Sequence, residues 1–264
     1  MMDIDFYGLK LTCVNTSELF KNICSAIANN KKMIIYGYSL GAIRLMRKFP
    51  IMHYFGNNIA DINLVDGRGL YMLARFMSFP LKEDISIPDF SRKLLDIANN
   101  NSYSIMLFGA SEKSNINATN NVKSLYKKII VYDGINGYFN SNQEKQIVDT
   151  INYYKPDILY IGISSPIKEE FVIRWKDYLD VKIIVLCGGF IDILSGEKKQ
   201  TPKLLKKIGM ASLFRFIQEP KRLYRYFFPF IGFMLFNFLP VLIFKVLILR
   251  DKNFSIPNYY GIKR

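Results

Sequence analysis

Histidine and cysteine are scarce in this 264-residue chain: one histidine, His53, and three cysteines, Cys13, Cys24 and Cys187, without paired spacing. Zinc sites need clustered ligands and disulfide scaffolds need closely spaced cysteines, so neither is expected, and no metal or other cofactor is called for. Free thiols fit a reducing compartment. Internal repeats and low-complexity tracts are also missing, which sets aside solenoids and long linkers. The opening stretch MMDIDFYGLKLTC carries acids where a secretory leader is basic, and it lacks a continuous apolar run. Export by that route is not expected. Acidic residues are the last shortage, with 22 Asp and Glu against 36 Lys and Arg and a net charge of +14.

Such a surplus asks for an anionic partner: nucleic acid, anionic lipid, phosphate or diphosphate. Nucleic acid is set aside, because the basic residues gather beside an apolar tail and no nucleic-acid-reading motif appears. Hydrophobic residues at 50% and aromatics at 15% imply a packed interior rather than disorder. Residues 227–249 read FFPFIGFMLFNFLPVLIFKVLIL, with Lys245 the only charge, against the roughly 20 apolar residues that cross a bilayer. A single membrane-embedded helix, with the remainder cytoplasmic, is the preferred reading. Pro229, Gly232 and Pro240 leave a kinked or re-entrant helix in competition with a straight span. Before it, 198–226 reads as a basic, aromatic helical appendage; after it, 250–264 is a short basic tail.

Upstream, short apolar runs alternate with amphipathic stretches, as in βα units around a mainly parallel sheet. The patterning predicts strands at 33–36, 62–65, 104–108, 129–132, 157–161 and 182–186. Helices are predicted at 17–29, 40–48, 68–77, 89–98, 115–127, 143–153 and 169–178. The fold class is therefore α/β, a Rossmann-like layer over 1–197 with flanking helices, followed by the appendage and the hydrophobic helix.

Ligands of open α/β sheets gather beyond the carboxyl ends of the strands, which singles out four places. At Asp66-Gly67-Arg68-Gly69 a carboxylate ends a strand and glycines admit a ligand. Such a carboxylate can take a proton from an acceptor hydroxyl; capping the helix that begins near Arg68 explains it as well. Phe108-Gly109-Ala110-Ser111 turns a strand into a helix, where free amides favour phosphate. Gly162, Ser164, Ser165, Pro166, Lys168 and Glu169 follow another strand. Lys168 there can meet a diphosphate, or the segment is an ordinary N-cap with Pro166 at the first helical position. Gly188-Gly189 with Asp192 suits a nucleotide, and equally a tight turn and cap.

In order, these blocks resemble the WecG/TagA/CpsF family of bacterial glycosyltransferases. They are Asp66-Gly67, Phe108-Gly109, Asn136-Gly137-Tyr138-Phe139, Pro156-Asp157-Ile158-Leu159 with Gly162 and Pro166, Gly188-Gly189-Phe190-Ile191-Asp192 with Gly196, and Glu219-Pro220-Lys221-Arg222-Leu223. The resemblance implies inverting, metal-independent transfer of an N-acetylmannosamine-type or related sugar. The donor would be a UDP-sugar and the acceptor an undecaprenyl-diphosphate-linked sugar at the cytoplasmic face of the membrane. It implies Asp66 as base. Substrate contacts would come from Gly67, Arg68, Gly109, Tyr138, Gly162, Ser164, Lys168, Glu169, Gly188, Gly189 and Asp192, and Arg215, Arg222 and Arg225 of the appendage would meet diphosphate. Membrane lipid is a further expected partner, and oligomers are compatible with the pattern. The chain departs from the family where Tyr36-Gly37-Tyr38-Ser39 replaces Thr-x-Asn, and where Pro166-Ile167-Lys168-Glu169 replaces Pro-Lys-Gln-Glu. Those departures keep a second reading open, a non-catalytic membrane-bound nucleotide-sugar-binding partner in a polysaccharide assembly complex.

Overall fold

A hairpin absent from the predicted strand set opens the chain: β1 (Met2–Phe6) and β2 (Leu9–Cys13) pair antiparallel in register Phe6 with Leu9. Tyr7 and Gly8 both have positive φ, 48° and 89°, the two-residue turn whose twist matches that of the strands. Phe6, Leu9 and Leu11 are wholly buried beneath it. The computed structural model describes residues 1–202, 204–205, 214 and 228–262.

All six predicted strands form: β3 (Met33–Tyr38), β4 (Ile62–Val65), β5 (Ser104–Gly109), β6 (Ile130–Val131), β7 (Ile158–Gly162) and β8 (Ile183–Leu186). They make one parallel sheet in the order β4-β3-β8-β7-β5-β6. A parallel sheet is covered on both faces, so its central strands are apolar at successive positions, which is why they read as continuous runs. Alternate residues serve opposite cores. Tyr36, Phe108, Leu159 and Ile184 enter one, and Ile35, Leu107, Tyr160 and Val185 the other.

The second core is roofed by α1 (Thr16–Ala28), α5 (Ile87–Asn101), α6 (Glu112–Leu125) and α9 (Phe190–Leu194). The first is roofed by α2 (Leu40–Lys48), α4 (Arg68–Phe76), α7 (Glu144–Tyr154) and α8 (Ile167–Trp175), with the short α3 (Ile51–Tyr54) beside them. Four helices start on side-chain caps, Asn15, Ser39, Ser86 and Ser111, each accepting from an amide of the first turn.

The apolar tail forms one helix, α10 (Phe228–Ile248), long and apolar enough to cross a membrane. It does not leave the domain. Phe233, Met234, Phe238 and Leu242 are buried in the first core. Beyond it, α11 (Ile256–Tyr259) returns to the hairpin, where the Ile256 amide donates to the Tyr7 carbonyl at 2.8 Å.

Candidate functional site

The carboxyl ends of the parallel strands carry the predicted residues along one edge of the sheet. From the end of β4 to the end of β5 is four strand spacings, roughly 19 Å, so the residues are spread along a row rather than meeting at a point. Asp66 follows β4. Its amide donates to the Tyr38 carbonyl at 2.6 Å and its Oδ1 accepts from the Ile87 amide, in the first turn of α5, at 3.0 Å. Helix α4 takes Gly67 as its N-cap, and the Asp66 carboxylate accepts from the first amide of α5. Asp66 is half-buried and fixed from two sides, as a positioned base requires. Gly67 has φ +104°, and a Cβ there would meet nothing within 4 Å.

Sequence reading missed Asp84, which stands beside this group. One of its carboxylate oxygens, Oδ1, is buried and has no hydrogen-bond partner among the described residues. Burial, and then the charge of Asp66, push its carboxyl above the ordinary range, against the opposing pull of Arg68 and the Gly67 amide. Nothing in the local string marks it, because only the return of the chain into α5 brings it to Asp66. A raised folded-state pKa means the folded protein binds the proton more tightly than the unfolded chain does. The penalty is thus present above the raised value and disappears as pH falls through it. Asp84→Asn should raise Tm at neutral pH and give no gain near pH ~3, where wild-type Asp84 is already neutral. Thermal melts at the two pH values check it.

The glycines divide into two sorts. Gly109 pairs with Gly162 across β5 and β7, and a Cβ on it would lie 2.4 Å from the Gly162 carbonyl oxygen. Gly162 in turn faces Ile191 and the Gly188 carbonyl, and Gly137 faces the Gly109 Cα. These three let backbones touch. Gly188, at φ +54°, borders open space, as Gly67 does. Gly109→Ala, at φ +141°, should cost more than about 2 kcal/mol. Gly188→Ala should cost about 1 kcal/mol, the left-handed conformation alone. Urea denaturation of both variants tests the order. Asn115, also unforeseen, binds this corner together through Nδ2 bonds to the carbonyls of Leu107, Gly109 and Ile135 at 3.1, 2.9 and 2.9 Å. Tyr138 stands out from the same corner, 81% exposed.

After β7 the expectation of a serine N-cap does not hold. Pro166 is the N-cap of α8, without a side-chain bond. Ser164 is exposed, whereas Lys168 and Glu169 turn inward. Lys168 Nζ lies 2.7 Å from Glu169 Oε1 and also donates to Ser165 Oγ. Glu169 Oε1 further accepts from Ser165 Oγ at 2.8 Å and from the Tyr36 hydroxyl at 3.0 Å. Two departures from the family pattern, the tyrosines of β3 and Lys168, are thus in contact, with the ammonium 5.9 Å from the Tyr36 ring centre. Burial, and then Glu169, drive both tyrosine phenols well above their ordinary range, so they act as neutral groups. Glu169 Oε2 and the Tyr38 hydroxyl are buried without a hydrogen-bond partner among the described residues.

At the end of β8, burial raises the Cys187 thiol far above its usual range, which rules it out as a nucleophile. Gly189 is the N-cap of α9. Asp192 is engaged by the protein: Oδ2 meets Lys198 Nζ at 2.5 Å and Oδ1 accepts from Ser114 Oγ at 3.3 Å. Its nearest task is to hold α9 against α6. Arg215, Arg222 and Arg225 lie outside the described residues.

Residues 4–243 match the profile of the glycosyl transferase WecG/TagA/CpsF family. Among curated proteins, the chain is similar to an N-acetylglucosaminyldiphosphoundecaprenol N-acetyl-beta-D-mannosaminyltransferase of Bacillus spizizenii, 25% identical over 163 residues, 62% of this chain and 63% of the relative. A Staphylococcus aureus protein of the same name is 25% identical over 168 residues, 64% of this chain and 65% of the relative. The matched stretch thus spans just under two thirds of the length of each relative.

Proposed function

Because the chain belongs to the WecG/TagA/CpsF family of glycosyl transferases, we propose that it moves a sugar from a UDP-sugar to a polyprenyl-diphosphate-linked sugar at the cytoplasmic face of a membrane. The observation that carries this reading is the family match together with Asp66 at the end of β4, held by Tyr38 and Ile87 beside an open glycine. The acceptor hydroxyl attacks the anomeric carbon from the face opposite UDP, its proton passes to Asp66, and the bond to the diphosphate breaks as UDP leaves. One displacement inverts the anomeric centre. The open backbone at Gly67 and Gly188 admits the nucleotide and sugar along the sheet edge, and Arg68 together with the basic residues 215, 222 and 225 meets the diphosphates. No step needs a metal.

The relatives' name supplies the sugar class, N-acetylmannosamine, and the acceptor class, N-acetylglucosaminyl diphosphoundecaprenol. Tyr36, Tyr38 and Lys168, which depart from the family pattern, are buried with Glu169 behind the end of β3, and this changed backing favours a donor different from the family's usual one. A screen of UDP-sugars against membrane-extracted lipid acceptor, read by released UDP, tests the proposal. Acceptor-dependent release with at least one donor supports it. Donor binding by calorimetry without release from any donor supports the non-catalytic binding partner instead.

A further inference from the structure

An apolar helix of 21 residues is about 31 Å long, enough to span hydrocarbon. The way α10 is held argues for another arrangement. Within it, α-helical turns alternate with wider π turns at Met234–Phe238 and Ile243–Ile248, so residues four apart stack in rows nearly along the axis. The row Met234, Phe238 and Leu242 is buried on the domain. Two neighbouring rows are turned mostly outward: Leu235, Ile243 and Leu247, whose member Leu239 packs partly on the core, and Phe236, Phe244 and Ile248, with Phe236 85% exposed. The first half of the helix and the chain that follows its far end are tied to the same body. Arg47 of α2 lies 5.4 Å from the Phe233 ring and 5.2 Å from that of Tyr260. Tyr260, which follows the helix in sequence, packs its ring on Phe233 and Phe238 at 5.7 and 6.3 Å. A spanning helix would carry its two ends to opposite sides of the bilayer, and this clamp forbids that.

We infer that α10 lies flat in one leaflet, as an in-plane foot whose outer rows enter the acyl region of an anionic bilayer while its inner row stays on the catalytic domain. Charge selects the occupant. A basic cleft of about 360 Å³, lined by Arg44, Leu45, Arg47, Lys48 and Tyr260, opens beside the clamp. Exposed Arg250 and Lys252 follow the far end of the helix. An apolar stripe flanked by cations fits acidic headgroups over acyl chains, and like charge opposes a second copy of the same face. The foot sets the sheet domain against the bilayer in one fixed pose, which is what an enzyme taking a lipid-linked acceptor needs.

The inference rests on the membrane association proposed above, and vesicle binding is read without sugar transfer, so failure of either is told apart. The full chain is sedimented with neutral phosphatidylcholine vesicles and with vesicles containing phosphatidylglycerol. Expected is stronger binding to the anionic vesicles, a loss of roughly a hundredfold in Phe236→Ser/Phe244→Ser, and a loss of the anionic preference in Arg44→Gln/Lys48→Gln. Tyr153→Ser, a change at an exposed aromatic on α7, should bind as wild type. With Cys24→Ser as background, Lys252→Cys and Glu112→Cys should react with an impermeant maleimide from the same side of sealed vesicles. Labelling from opposite sides means a span and overturns the inference. So does a dimer that Phe236→Ser/Phe244→Ser converts to a monomer while vesicle binding is unchanged.

Discussion

Asp66→Asn is expected to lower the rate of sugar transfer about a thousandfold while leaving affinity for the UDP-sugar unchanged. The substitution is nearly isosteric, and its Oδ1 can still accept from the Ile87 amide that holds Asp66, so the end of β4 keeps its shape. What it removes is the basic lone pair. Single-turnover kinetics separate the two effects. A variant that binds donor as wild type but transfers slowly identifies a group acting in the transition state. Full activity in Asp66→Asn would remove Asp66 as the base, and loss of donor binding would make its role one of holding the β4 end rather than proton transfer.

The largest effect on stability is expected from Glu169→Ala. Glu169 is wholly buried, and its Oε1 holds Lys168, Ser165 and the Tyr36 hydroxyl at once. Cutting it out strands an ammonium whose side chain is only 11% exposed, together with a buried phenol. Removing one partner of a buried pair typically costs about 3–5 kcal/mol. Replacing both charges with apolar or neutral groups of similar shape is far milder, so Lys168→Met/Glu169→Gln should recover most of the loss. Urea denaturation of wild type, Glu169→Ala and Lys168→Met/Glu169→Gln checks this, and equal losses in the two variants would refute the pairing as the cause.

Lys168 and Glu169 also show where sequence reading stops. Their placement after a strand and before a helix was legible, and so was the sheet itself, since strands buried on both faces announce themselves as apolar runs. The inward turn of Lys168 was not, because Tyr36 is 133 residues away from Glu169 and no local pattern couples them. Gly109 illustrates a different limit. A missing Cβ serves a ligand's approach and a neighbouring backbone equally well, and only the pairing of β5 with β7 shows that the Gly162 carbonyl fills the space. The N-terminal hairpin was legible in principle, in the alternation of MDIDF and the Tyr7-Gly8 turn, but a search for continuous apolar runs passes over alternating strands. Asp84 has no signal in the string, since its meaning comes entirely from lying next to Asp66. The tail was legible as apolar, and its length alone suggested an embedded helix. Its four-residue rows acquire meaning only when Arg47 and Tyr260 are seen to clamp it to α2.

Mass spectrometry of the lipid product is the most direct test of the central claim. The full chain, on anionic vesicles carrying polyprenyl-diphosphate N-acetylglucosamine, is given a panel of UDP-sugars. The account predicts that with at least one donor the lipid gains the mass of a single sugar, with an equal amount of UDP released and neither change in Asp66→Asn. A lipid of unchanged mass with every donor, from protein that binds UDP-sugar and vesicles normally, would contradict it.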